Sequence, residues 1–269
     1  MQHGFFIKYT NYNKYAILSS IMSEKVYLYG RNPLEEAITA SKRDGVSFLE
    51  KVFLTKQAEE DSRVISLIHS NKIPYSVVTS QEIESMVGRG AVHQGVCASI
   101  TTSALYRDLR EVASTTGEKH PCLVLLDELE DPHNVGAIIR SSVAFGATAI
   151  LMPEHGQVGV TSTVVKTSAG AIFSIPIVKI GNINTTLITL KEKGFWIYGL
   201  TGEGKTSLHD AVFDAPTVVV VGSEGRGIRE KTLDLCDFSL SIPISDACES
   251  LNASNAVAVT LYEWSKQNK

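Results

Sequence analysis

The chain has 269 residues, 43% of them hydrophobic and 20% charged, a balance that excludes a disordered polymer and leaves room for one large or two ordinary domains. No apolar run approaches the roughly 20 residues of a membrane helix, and the patch from Ala16 to Met22 lacks the form of a secretory signal, so the expected compartment is the cytoplasm. A net charge of −4 and a pI near 6.0 give no basic footprint and argue against a protein that clings to nucleic acid by charge alone; any RNA partner must be held by local features.

Residues 1–21 carry aromatics and asparagines without periodicity, and a second methionine opens MSEKVYLYGRNPLEEAI at Met22. The first segment is therefore expected to be a tail or an upstream-start artefact. From Lys25 a strand-like VYLY leads to Gly30-Arg31-Asn32-Pro33, and Pro33 begins an amphipathic helix over Leu34 to Ala40. A strand at KVFLT, a charged helix around Ser62 to His69, a strand at IPYSVVT, a short helix from Ser80 to Met86 and a strand from Gln94 to Ile100 complete a small α/β domain over 22–101. It holds nine Lys plus Arg against ten Asp plus Glu, so no sign-dominated face is expected. Residues 102–120 lose apolar periodicity and read as a linker.

After Pro121 the pattern changes. Long Val/Ile/Leu runs (CLVLLDEL, TAILMP, SIPIVKI, FWIYGL, TVVVVG, FSLSIPI) alternate with helical stretches such as VGAIIRSSVAFGA and Thr186 to Lys193. Continuous apolar runs mark strands covered on both faces, so residues 121–269 are expected to form a parallel-sheet, doubly wound α/β domain. The four cysteines, Cys97, Cys122, Cys236 and Cys248, form no C-x-x-C pair and no Cys/His cluster. Buried free thiols, no disulfide framework and no metal are expected.

Four stretches carry polar or glycine signals. In Asp131 to Ser142 (DPHNVGAIIRSS), Asn134 is placed at a helix N-cap. Arg140 follows on a helix with an apolar face, paired either to the carboxylates of Asp127 to Asp131 or, as a planar fork, to a phosphate. Gly199 to Thr206 (GLTGEGKT) matches the phosphate-loop pattern letter for letter. Such a loop should open a long helix, yet Ser207-Leu208-His209-Asp210 runs within a few residues into Pro216, and the following TVVVV strand ends without a magnesium-binding Asp; the match is read as coincidence. Val220 to Ile228 (VVGSEGRGI) sets three glycines after a buried strand, either a tight turn or close backbone approach to a ligand. Ile242 to Trp264 reads as strand, loop and helix, with Ser250, Leu251, Asn252 and Ser254 at the helix entry, where free backbone donors either are capped or hold a polar ligand.

In this order, N-V-G-A-I-I-R, V-G-S-E-G-R-G-I and I-P-I-x-x-x-x-x-S-L-N-A-S resemble the three signature motifs of the SpoU/TrmH family of S-adenosylmethionine-dependent RNA ribose 2′-O-methyltransferases. The resemblance spans nearly all of residues 121–269. The front part, with Y-G-R-N-P-L-E-E-A-I and H-Q-G-V at His93 to Val96, looks like the ribosomal-protein-like RNA-substrate-binding domain of the branch that modifies large-subunit rRNA. The resemblance implies a trefoil-knotted parallel-sheet methyltransferase domain and a homodimer with the site near the subunit interface, the helix from Ala256 to Trp264 lying in that interface. It implies S-adenosylmethionine bent among strand-end loops, touched by backbone at Leu200, Thr201, Gly222, Ile242 and Leu251. It makes Arg140 the activator of the 2′-hydroxyl, with Asn134, Glu224, Ser250 and Asn252 arranging it and the RNA. Arginine as a side-chain type holds its proton to above about pH 12, a poor base, so Arg140 is read either as base or as clamp on the neighbouring phosphate. The target implied is rRNA, a guanosine of the large subunit, before tRNA; the alternatives from other classes are a non-catalytic rRNA-binding protein and a nucleoside triphosphatase. This chain departs from the family pattern where Ser245-Asp246-Ala247-Cys248-Glu249 precede Ser250 and Ala253 follows Asn252, which sets Asp246 and Glu249 near a positive sulfonium.

Overall fold

The computed structural model describes residues 25–114 and 120–268, so the expected tail and the Met22 opening lie outside the described residues. The first part runs β1 (Tyr27–Tyr29), α1 (Arg31–Asp44), β2 (Leu49–Leu54), α2 (Lys56–Glu59), α3 (Ser62–Ser70), β3 (Tyr75–Val77), α4 (Ser80–Val87) and β4 (Val96–Ile100). Its strands lie in the order β1-β4-β2-β3, with β4 antiparallel to β1 and β2, and β2 parallel to β3. Helix α1 is longer at both ends than its apolar stripe predicts. It opens directly after Gly30 and closes on Gly45 in the left-handed conformation, and its last turn, Ser41 to Asp44, is polar and so carries no apolar mark.

The expectation of a linker over 102–120 fails across 102–114. A 3₁₀ turn at Thr102–Leu105 and a one-turn helix α5 (Leu109–Val112) bury Leu105, Val112 and Ala113, and Tyr106 forms a bridge to Ile177. Elements of one turn are too short for a repeat to register in sequence.

The second part contains β5 (Cys122–Asp127), α6 (Pro132–Phe145), β6 (Ala149–Pro153), α7 (Ser162–Thr167), β7 (Ile177–Ile180), α8 (Ile183–Glu192), β8 (Trp196–Leu200), β9 (Thr206–Ser207), β10 (Thr217–Gly222), α9 (Glu230–Leu233), β11 (Phe238–Ser241) and α10 (Ala253–Asn268). Seven parallel strands lie in the order β7-β6-β5-β10-β8-β11-β9, and every residue of β5, β6 and β10 is buried. The two-residue side-chain period divides them between two cores. Val124 and Leu126 face a cluster with Val135, Ile138 and Ile139 of α6 and Val257 and Leu261 of α10, while Leu123 and Leu125 face Ile183, Leu187 and Leu190 of α8. This is why the runs read as apolar without alternation.

Short helix α7 ties the sheets together. Its Ser162 Oγ accepts from the Tyr27 backbone N–H at 2.9 Å, and Lys166 Nζ stands 4.5 Å from the centre of the Tyr29 ring. On its other side α7 meets α6 at Gly136, where a Cβ would stand 2.6 Å from Thr167 Cβ and 2.9 Å from the Val164 carbonyl oxygen. A backbone carbonyl cannot swing aside as a side chain does. Gly136→Ala is therefore expected to cost about 1–3 kcal/mol by overpacking, lowering Tm by about 2–4 °C for each kcal/mol in a chain of this size; an unshifted thermal melt contradicts this packing.

Candidate active site

The ends of β8, β10 and β11 open into one pocket of about 620 Å³, the position beyond the carboxyl edge of a parallel sheet where ligands bind. Its lining includes all five residues assigned from sequence to cofactor contact, Leu200, Thr201, Gly222, Ile242 and Leu251, together with Glu224, Ser250 and Asn252. Backbone packs on backbone at the pocket's Gly222 and, just outside its lining, at Gly204. A Cβ at Gly222 would stand 2.1 Å from the carbonyl carbon and oxygen of Gly227, and one at Gly204 would stand 2.3 Å from Leu240 C and Ser241 N. Glycine at 222 is thus required by the loop's own return, which Gly227 closes by donating its N–H to the Ser223 carbonyl at 2.8 Å. The Thr201 N–H donates to the Leu240 carbonyl at 2.9 Å, fixing the loop after β8 to the end of β11.

Three side chains meet beside this pocket, one from the first turn of α6, one from the loop after β10 and one from the entry of α10. Asn134 Nδ2 donates to Glu224 Oε1 at 2.6 Å, and Asn252 Nδ2 donates to Asn134 Oδ1 at 2.9 Å and to Glu224 Oε1 at 2.5 Å. Asn252 Oδ1 accepts from the backbone N–H and the hydroxyl of Ser254, at 2.9 and 2.6 Å, so the residue also caps α10. Among the described residues Glu224 Oε2 has no donor, leaving that carboxylate oxygen for a ligand. Ser250 is exposed at the rim; its carbonyl accepts from Cys248 Sγ at 3.2 Å. Exposed Asp246 and Glu249 also border the opening, giving it a negative rim.

Two sequence readings fall here, Asn134 as the helix N-cap and the pairing of Arg140 with the carboxylates of Asp127 to Asp131. Asn134 is not the N-cap: Asp131 is, accepting from the His133 N–H at 2.9 Å, because Asp before Pro132 starts the helix earlier. Asn134 sits instead in the first turn, 5% exposed and turned inward. Arg140 is not brought to the pocket of its own chain. Six residues on from Asn134 at about 100° per residue, it lies about 120° round the helix, on the solvent face. Nor does it pair with Asp127, Glu128 or Glu130, for Arg226 and Arg229 take them: Arg229 Nε meets Asp127 Oδ1 at 2.8 Å and its Nη1 meets Glu128 Oε1 at 3.1 Å, and Arg226 Nη2 meets Glu130 Oε1 at 3.2 Å. These pairings lie outside the pocket lining and were not foreseen; the acidic run closing the CLVLLDEL strand and the arginine just past GSEGRGI were the signals available.

The phosphate-loop match is empty of its mechanism. Residues 199–206 finish β8, turn along β11 and form β9, and only a three-residue 3₁₀ turn, Leu208–Asp210, follows. Of the cysteines, burial pushes the Cys97 and Cys236 thiols up to about 12 and raises Cys122 as well, whereas Cys248 is exposed at the pocket, against the expectation of four buried thiols. Among the described residues there is no group of three or more His, Cys, Asp or Glu able to hold a metal, and no helix long and apolar enough to cross a membrane.

A parallel sheet with polar loops gathered at its carboxyl edge, behind a small α/β unit, defines a two-part α/β protein with a ligand site on its larger sheet. The chain belongs to the SpoU rRNA methylase family, whose pattern matches residues 121–262, and residues 27–106 match the RNA 2′-O ribose methyltransferase substrate-binding family. It is 35% identical over 236 residues to the 23S rRNA (guanosine-2′-O-)-methyltransferase RlmB of Xylella fastidiosa, covering 86% of this chain and 94% of that one. It is 36% identical over 246 residues to an uncharacterized tRNA/rRNA methyltransferase of Synechocystis sp., covering 89% of this chain but only 62% of that protein's length. Among solved structures, the SpoU methyltransferase AviRb of Streptomyces viridochromogenes, in complex with AdoMet, shares the fold with a TM-score of 0.79 at 22% identity, over 96% of this chain and 93% of that one.

The geometry at Asn252 separates its two duties. Asn252→Ala removes the cap, about 1 kcal/mol, and the contact to Glu224; Asn252→Asp keeps the cap acceptor but sets a second carboxylate against Glu224. Thermal melts at neutral pH should show both destabilised, and adding Glu224→Gln should recover stability in the Asp variant alone. Equal recovery in both would mean that the Asn252–Glu224 contact is not felt.

Proposed function

We propose that this chain transfers a methyl group from S-adenosylmethionine to the 2′-hydroxyl of a ribose in RNA, the target being a guanosine of 23S rRNA. The observation that carries the reading is the hydrogen-bonded set Asn134, Glu224 and Asn252 beside a pocket whose lining holds every residue assigned to the cofactor. The residues present fit that cofactor. A cavity of about 620 Å³ is of the size that takes a small organic ligand, Leu200, Ile242 and Leu251 offer apolar walls, and the carboxylates of Glu224, Asp246 and Glu249 suit a positive charge. When bound, S-adenosylmethionine supplies a methyl group on an electron-poor sulfonium. The protein's part is then to bring the ribose oxygen in line with the methyl group and to hold the neighbouring phosphate, through Arg140, so that its oxygen takes the hydroxyl proton as the new bond forms. Asn134 and Asn252 hold the Glu224 carboxylate still, and Ser250 stands at the rim where the ribose enters. Transfer-RNA substrates fit the catalytic set equally well; the match of residues 27–106 and the RlmB relatives support rRNA. On this reading the work is done in the cytoplasm, by a substrate-binding domain over 22–101 and a catalytic domain over 121–269.

Arg140 completes the reading from a second copy of the chain. It is exposed, without an ion pair or hydrogen bond among the described residues, and outside its own pocket. In a homodimer joined through α10, where Val259 and Tyr262 stand 42% and 58% exposed, the partner would supply it as a fork for the phosphate beside the reacting ribose. The threading of the chain is read as a trefoil knot, supported by β11 inserting between β8 and β9 before the chain returns across the strand ends to set α10 on α6.

Incubating the protein with tritiated S-adenosylmethionine and unmethylated 23S rRNA or tRNA, and mapping 2′-O-methyl positions, tests substrate and reaction together; no label in either RNA sinks the reading. Arg140→Ala should abolish transfer while leaving cofactor affinity unchanged. Mixing inactive Arg140→Ala chains with inactive Asn252→Ala chains should restore about a quarter of wild-type activity if sites are shared across a two-fold dimer. No recovery on mixing, with mixed dimers present, would overturn the shared site.

A further inference from the structure

Asp127 ends β5 with its carboxylate 0% exposed. A buried carboxylate demands partners, since burial without them is strongly unfavourable. Among the described residues every hydrogen-bond donor to it belongs to one residue, Arg229, whose backbone N–H reaches Oδ2 at 3.1 Å and whose Nε reaches Oδ1 at 2.8 Å. Arg229 also extends Nη1 to Glu128 Oε1 at 3.1 Å. Glu128 offers that oxygen from a left-handed backbone, φ 59°, a conformation a non-glycine residue adopts only at a cost.

Asp127 holds the same loop at its other end. In the parallel ladder it is the register partner of Gly222, the last residue of β10. From Gly222 the chain doubles back through the Ser223–Gly227 bridge and arrives at Arg229. The loop therefore leaves and returns to one residue, pinned by strand pairing at Gly222 and by a charged side chain at Arg229. Glu224 stands within that return, and its position toward Asn134 and Asn252 follows from where the two ends are fixed. Neither Asp127 nor Arg229 lines the pocket.

We propose that Asp127 and Arg229 are positioning residues that hold the loop from Ser223 to Ile228 in the shape that binds cofactor and presents Glu224. The proposal rests on the methyl-transfer reading above. An ammonium replaces the guanidinium here only in part, since one side chain meets both Asp127 and Glu128 through separate nitrogens.

The test uses the full chain with Asp127→Asn, Arg229→Ala and Arg229→Lys, read by thermal melting, by calorimetry with S-adenosylmethionine, by kcat and KM for RNA, and by hydrogen exchange. In the folded variants the cofactor Kd should rise about tenfold or more in Asp127→Asn and Arg229→Ala and less in Arg229→Lys, with kcat falling and the KM for RNA little changed. In cofactor-free protein the amides of residues 223–228 should exchange faster than in wild type, while those of 122–126 keep their protection. If Asp127→Asn does not fold, the two substitutions of half-exposed Arg229 carry the test. Lowered Tm with unchanged cofactor affinity and unchanged loop exchange would reduce the pair to a fold-stabilising contact and overturn the proposal. Wild-type protein that binds no S-adenosylmethionine would instead overturn the methyl-transfer reading, and the exchange measurement would then decide the clamp alone.

Discussion

The arrangement depends on one amide. Asn252 has a single acceptor and a single two-proton donor, and both are committed: the oxygen to the first turn of α10, the nitrogen to Glu224 and Asn134. No other side chain of its size offers both at this geometry. Aspartate could cap but not donate, and serine could do either only over a shorter reach. Through this amide the start of the last helix, the first turn of α6 and the loop after β10 share one set of hydrogen bonds, and the two helices are packed on each other behind it. The local polar cluster and the core beneath it are therefore parts of one construction.

That construction stands on a sheet whose strands are covered on both faces. Because β5, β6 and β10 alternate their side chains between two separate cores, each strand is held from both faces. Toward the last strands the support changes from aliphatic to aromatic: Trp196 lies on Phe238 at 5.1 Å between centroids, and Phe238 on Tyr198 at 4.9 Å, joining β8 to β11. The loops that surround the pocket leave from this edge, and they converge because the strands that carry them are neighbours.

Much of this was legible in the residues. The switch from period-2 and short patterns to unbroken apolar runs after Pro121 announces the parallel sheet, and the placement of Asn134, Glu224 and Asn252 at strand or helix ends marks the loops that meet. What sequence leaves open is which neighbours are joined. Asp127 reads as the start of an acidic surface run, yet it is the one member of that run that is wholly buried. Arg140 reads as pairing with that run, but helical geometry turns it the other way while Arg226 and Arg229, some 90 to 100 residues downstream, occupy those carboxylates. Pairings between residues so far apart leave no local signature. The one-turn elements of 102–114 were lost for the opposite reason, being too brief to show any period.

The backbone contacts under the pocket bear on how such a site changes over time. Where Gly204 meets Leu240 and Ser241, and Gly222 meets Gly227, main chain lies directly on main chain and no side chain intervenes. Of the residues that depart from the family pattern, Ser245 to Glu249 lie on the exposed stretch across the opening, while Ala253 is buried at the start of α10. The glycine contacts are thus indifferent to what that exposed stretch carries, while they tolerate nothing larger than glycine. Substitutions on that exposed wall can alter the charge the site shows to a ligand while the glycine contacts keep the shape beneath it.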